Sequence, residues 1–187
     1  MSTTTLILIS VFIGIAILGV AALILLQKRR TQRLRTRFGP EYTRALQDSG
    51  DRRQAEASLE ERKKRVERFK LRPLAPGDCA RFMESWRRVQ ARFVDEPRGA
   101  VTEADQLLGD VMSTRGYPVS DFEQRKADMS VDHPEVVENY RAAHEIALHH
   151  AQGLAGTEDL RQAMIHYRTL FDELVREPEM ASAKAAK

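Results

Sequence analysis

The chain has 187 residues, 30 Lys and Arg against 27 Asp and Glu, 42% hydrophobic side chains and a formal net charge of +3. That length suits one domain with an appendage. The single cysteine, Cys79, excludes an intramolecular disulfide and a Cys-rich zinc site, and ten Gly with seven Pro are too few for a collagen-like or linker-dominated chain.

The charge is strongly partitioned. Residues 1–27 carry no charged side chain, residues 28–72 hold 16 Lys and Arg against 7 Asp and Glu, and residues 73–187 hold 14 against 20. The run from Leu6 to Leu26 is 21 residues long, with Ser10 its only polar side chain. As a helix it measures about 31 Å, the thickness of a bilayer's hydrocarbon core. A cleaved signal peptide needs a basic start, a shorter apolar run and a small-x-small cleavage site. Here the start is MSTTT and the run ends Leu25-Leu26-Gln27, so a retained transmembrane helix over 6–26 is expected. Ser10 and Gly14 make a small-xxx-small pair, which reads as filler in an apolar helix ahead of a helix-dimer contact.

Lys28, Arg29, Arg30, Arg33, Arg35 and Arg37 follow within ten residues that include no acid. The positive-inside rule then puts residues 28–187 in the cytoplasm of a single-pass protein, with the short N-terminus outside. The same six residues are candidate contacts for anionic lipid headgroups, each worth about 1 kcal/mol when held near the surface. The competing reading is that they only set topology. No aromatic interleaving or recognition motif supports a nucleic-acid partner.

Residues 27–72 read as a basic, juxtamembrane helical stalk. Gly39-Pro40 breaks the chain, Glu41–Gln47 offers two helical turns, and Gly50 can end them. A helix over 51–70 would carry Ala55, Leu59, Val66 and Phe69 on one stripe, interrupted by Arg62. Glu60 with Lys64 and Glu61 with Arg65 are surface pairs at four-residue spacing, whereas Glu56 has no obvious partner. The stripe is too thin for a coiled coil.

Leu71 to Pro76 contains two prolines and reads as a stiff hinge. Residues 73–178 are helical in pattern throughout. Phe82, Trp86, Val89 and Phe93 share a face in the first segment, and Val101, Ala104, Leu108 and Val111 in the second. Ser120 with Glu123 reads as a capping box. Asp132 with Glu135, and Pro134 in the first turn, opens the next helix, and Thr157 can cap the last, with Leu160, Met164, Tyr167, Phe171 and Leu174 on its face. The class is all-α: a transmembrane helix, a charged stalk and a compact helical bundle with Trp86, Phe93, Leu108, Tyr140 and Phe171 as heavy core members. Residues 179–187 are expected to be a disordered tail.

Searching for chemistry yields little. In HEIALHH the gap from His144 to His149 is five residues, turning about 140° around a helix, so one metal does not easily reach both. No phosphate loop or nucleophile elbow is present, and Cys79 reads as a small apolar filler. Catalysis, cofactor and metal are therefore not expected. Tyr117 to Asp132 is the longest stretch whose apolar residues form no clean stripe. Tyr117, Phe122 and Met129, flanked by Val119 and Val131, are its candidate partner surface, and closure of the segment on its own core fits the same pattern.

RFGPEY (37–42), GDRRQAE (50–56), QARFVDEP (90–97), RGYPVSDFEQR (115–125), SVDHPEVVENYRAAHEIA (130–147) and TEDLRQAMIHYRTLF (157–171) give the chain its most distinctive wording. On these motifs it resembles a widespread uncharacterised bacterial family of single-span, membrane-anchored proteins. The resemblance implies a bacterial membrane-anchored protein of unknown function and brings no activity, ligand or catalytic residue with it; with the topology read above, an inner-membrane location is expected. The sequence therefore suggests an adaptor or scaffold with an unidentified protein partner. An anionic-lipid surface sensor is the alternative, and a membrane-tethered enzyme the third reading.

Overall fold

A computed structural model describes residues 3–118 and 120–185, with side-chain surroundings for 12–15, 17–118 and 120–175. Val119 thus lies outside the described residues. Among these residues there are eight helices and no strand: α1 (Thr3–Phe38), α2 (Pro40–Ser49), α3 (Arg52–Val66), α4 (Pro76–Asp95), α5 (Pro97–Arg115), α6 (Phe122–Asp132), α7 (Pro134–Ala151) and α8 (Thr157–Ala185). The fold is all-α. It divides within α3 into two compact units, Met1–Glu60 and Glu61–Lys187.

In the first unit, α1 is long and apolar enough to cross a membrane. It does not stop where the apolar run ends. Residues 27–38 prolong the same helix by about 18 Å. On this extension Thr31, Leu34 and Phe38 recur at i, i+3 and i+7 and are buried. Gly39 takes a left-handed turn (φ 48°) and Pro40 starts α2, which buries Tyr42 and Ala45. Gly50, also left-handed (φ 64°), ends that helix by donating its N–H to the carbonyl of Leu46. The first half of α3 then contributes Ala55 and Leu59, both essentially inaccessible. The extension is therefore one wall of a small three-helix core.

The second unit is a bundle organised on α8. Helices α5 and α7 pack on α8, α4 packs on α5, and α6 on α7. The core joins Phe82, Trp86 and Val89 of α4 to Val101, Leu108 and Val111 of α5, Val137 and Tyr140 of α7, and Tyr167, Leu170 and Phe171 of α8. The indole of Trp86 stacks on Phe171 with centroids 4.9 Å apart. Phe93, expected among the heavy core members, sits only half-buried at the edge. Its position four residues after Val89 carries it toward the C-terminal end of α4, where the helix leaves the packed layer.

Three expected caps are reassigned. The side chain of Asp121, not Ser120, accepts from the N–H of Gln124 at 2.8 Å and starts α6. His133 rather than Asp132 precedes α7, without a side-chain cap bond. Thr157 is already helical, and Asp159 reaches back to the N–H of Gly156 at 2.8 Å. Likewise Arg65 pairs with buried Asp128 at 3.1 Å instead of with Glu61.

The segment read as a hinge is docked. Arg72 donates its backbone N–H to the carbonyl of Arg115 at 2.9 Å and its Nε to that of Thr114 at 3.0 Å. The approach demands glycine at 116: φ is +99°, and a Cβ there would come within 2.6 Å of the Lys70 carbonyl oxygen.

Helical backbone continues to Ala185, past Pro178 and through much of the stretch expected as a tail. Proline has no N–H, so the carbonyl of Leu174 lacks its i+4 donor. Arg115, at the end of α5, is buried and donates Nη1 to that carbonyl at 3.1 Å. A guanidinium thus replaces the missing backbone bond.

Two stability outcomes follow. Trp86→Ala should cost roughly 3–5 kcal/mol, whereas Trp86→Phe should cost far less, because the buried indole N–H finds no acceptor among the described residues. Arg115→Ala should cost about 2–3 kcal/mol by leaving the Leu174 carbonyl unbonded. In a Pro178→Ala background, where residue 178 regains its N–H, part of that loss should vanish. Denaturant melts of the four chains of this cycle measure the coupling, and strict additivity would refute the assignment.

Candidate functional site

Outside the apolar run, the first unit carries the densest charge. Taking about 100° per helical residue, Thr31, Leu34 and Phe38 occupy an arc of some 60° on α1. Lys28, Arg29, Arg30, Arg33, Arg35 and Arg37 fill the remaining arc, and all six are exposed. This is how a helix can pack and still display six cations. Arg30 lies 3.4 Å from Glu60 of α3, and the guanidinium of Arg35 sits 5.2 Å from the Tyr42 ring centroid.

The unit closes on Glu56. Its Oε1 accepts from Thr31 Oγ1 of α1, from the Tyr42 hydroxyl of α2 and from Arg52 Nε, each at 2.9 Å. Arg52 also donates Nη2 to Thr31 Oγ1 at 2.5 Å. Burial would raise the Glu56 carboxyl, but the hydrogen bonds from Arg52, Thr31 and Tyr42 outweigh it and hold the group below the usual carboxylate range. The residue with no obvious partner in the sequence is the one on which three helices meet.

Beside this hub lies a cleft of about 540 Å³, lined by Ile24, Gln27, Lys28, Arg30 and Thr31 of α1 and by Arg52, Arg53, Glu56 and Ala57 of α3. Lys28 and Arg30 were foreseen as headgroup contacts. Arg52 and Arg53 were missed, being some 25 residues away in sequence. The available signal was the stripe Thr31, Leu34, Phe38 followed by Gly39-Pro40, which says that the helix leaving the apolar run must turn back on itself.

Two of the three residues expected at a partner surface are buried and the third is partly so. Tyr117 is 3% and Met129 1% accessible, both within the bundle core. The Tyr117 ring meets Phe69 edge-on at 6.3 Å, which closes α3's trailing residues over this corner. Phe122 is half-buried, its ring stacked 3.5 Å from His144 and 4.8 Å from Tyr140. These apolar residues failed to show a single stripe because Tyr117 lies in the connection after α5, whereas Phe122 and Met129 stand seven residues apart on α6.

Among the described residues no group of three His, Cys, Asp or Glu is placed to hold a metal ion. Cys79 is half-buried, with Sγ 3.8 Å from the carbonyl of Val175. No family model, curated protein or solved structure matches the chain.

His144 yields a pH expectation. Burial against Phe122 holds its imidazole below the ordinary 6.5, so the folded state resists protonation that the unfolded chain accepts. The unfolded state then binds more protons near that pH, and stability must fall as pH drops from about 7.5 to 5.5. Thermal melts over this window should slope downward toward acid, and His144→Gln should remove part of the slope.

Proposed function

We propose that the chain is a single-pass protein of a bacterial inner membrane, N-terminus outside, whose juxtamembrane unit rests on anionic lipid headgroups and holds a cytoplasmic helical bundle at that surface. The observation that carries this reading is the continuity of α1. One helix runs from the apolar span straight into a packed module, so its exposed basic arc is held rigidly at the bilayer edge instead of trailing in a loose linker. Pre-ordering matters because a flexible basic chain loses side-chain and backbone entropy on binding that a folded helix has already lost. With about 1 kcal/mol per basic residue near an anionic surface, even half of the six give appreciable attraction. In this role the protein is a surface-responsive scaffold. The adaptor reading ranks second, because its foreseen surface at Tyr117, Phe122 and Met129 serves the bundle core.

A fragment spanning 28–187 should bind vesicles containing phosphatidylglycerol at about 0.01 M salt and be released near 0.15 M, as the Debye length shortens from about 30 Å to about 8 Å. Equal binding to neutral vesicles sinks the lipid reading. A reporter fused at the C-terminus should be active only in the cytoplasm, and a periplasmic signal would reverse the topology.

A further inference from the structure

We propose that the cleft between α1 and α3 is a stoichiometric site for one phosphate-bearing lipid headgroup, an inference that rests on the membrane placement given above. Four observations carry it.

The first is register. Ile24, Gln27, Lys28 and Thr31 fall at i, i+3, i+4 and i+7, one face of α1, and the opposite wall is the first two turns of α3. The cleft therefore runs from the last apolar turn into the first polar ones.

The second is depth. A leaflet's headgroup layer adds about 5–7 Å to the hydrocarbon core. Along α1, Lys28 and Thr31 stand about 3 and 7.5 Å beyond Leu26. Ile24 meets the acyl boundary while the cations stand where lipid phosphates are.

The third is charge. Lys28, Arg30, Arg52 and Arg53 line the cleft against the single carboxylate of Glu56. That carboxylate is committed to Thr31, Tyr42 and Arg52. Lys28 and Arg53 are exposed and have no ion pair among the described residues. The start of α3 is capped by Asp51, which accepts from the Arg53 N–H at 3.0 Å, so the α3 wall offers its arginine side chains and not a free helix end. An arginine fork with a lysine point charge beside it suits a phosphate.

The fourth is size. A volume of about 540 Å³ lies within the roughly 300–1,000 Å³ of small-molecule sites.

A free phosphate shares this chemistry, and Ile24 on the wall favours the lipid. The test uses the full chain in neutral detergent with phosphatidylglycerol or phosphatidylcholine added, and native mass spectrometry counts the lipids retained. One phosphatidylglycerol should be held per chain in preference to phosphatidylcholine. Lys28→Gln with Arg53→Gln should weaken retention about tenfold or more. Arg29→Gln with Arg33→Gln, an equal loss of charge outside the cleft, should weaken the diffuse attraction but cost retention of that one lipid several-fold less than the cleft pair. Ala57→Glu, which removes no contact and places an acid four residues from Arg53, should mimic the first pair should that pair prove poorly folded. Equal losses in the two charge-matched pairs would overturn the site while leaving diffuse lipid attraction intact. Inorganic phosphate that binds the lipid-free chain and depends equally on Lys28 and Arg53 would overturn the lipid assignment. No preference for phosphatidylglycerol in either the full chain or the 28–187 fragment would bring down the lipid reading itself.

Discussion

The carboxylate of Glu56 holds the juxtamembrane unit together, because α1, α2 and α3 all donate to it, through Thr31, Tyr42 and Arg52. Without that meeting point the unit has little to close it. Its apolar core is small, Leu34, Phe38, Tyr42, Ala45, Ala55 and Leu59, and six cations in ten residues repel one another along the extension of α1. A charge-assisted hydrogen bond is worth roughly 1.5–3 kcal/mol, enough to matter against a core of that size. The lowered carboxyl is the electrostatic trace of the arrangement: burial acts against ionisation, and the three donors win.

The bundle solves a related problem with an inverted charge. Where α8 passes Pro178, the backbone itself supplies the unsatisfied acceptor, and Arg115 answers it across the helix interface. Both cases obey one rule, that a buried polar group left over by local geometry is met by a long side chain from another helix. Gly116 marks how tightly the second case is built. The residue next to Arg115 must be glycine so that Lys70 can approach, and this same segment bonds Arg72 to the end of α5.

What the sequence made legible is what periodicity encodes. The apolar run of α1, the Phe82–Trp86–Val89 stripe and the Val101–Ala104–Leu108–Val111 stripe were readable because burial repeats at the helical period. The caps were not, since Ser120 and Asp121 are adjacent residues of equal capping ability and only backbone geometry separates them. Glu56 was unreadable for a different reason. Its donors lie 25, 14 and 4 residues away, and only the last falls within the reach of a helical pairing rule. Tyr117 and Met129 looked unpatterned because each enters the core from a different element. Half of the cleft was legible as a basic run, and the α3 wall needed the fold.

The partition of charge gains a physical meaning once the first unit is placed against lipid. Residues 28–72 carry 16 basic against 7 acidic side chains, and residues 73–187 carry 14 against 20. An anionic surface that attracts the basic segment repels the acidic one, and the repulsion is felt only within a Debye length, about 8 Å at physiological salt. Beyond that distance an acidic domain would be electrostatically indifferent to such a surface. On the proposed placement, the unequal division would add adhesion at the stalk and withhold it from the bundle. A net charge of +3 spread evenly would do neither, because a domain weakly attracted everywhere has no preferred face toward the lipid. The small total of +3 is the remainder of two opposed charges, and the unbroken passage of α1 from its apolar run to its basic arc is what ties the basic one to the apolar segment.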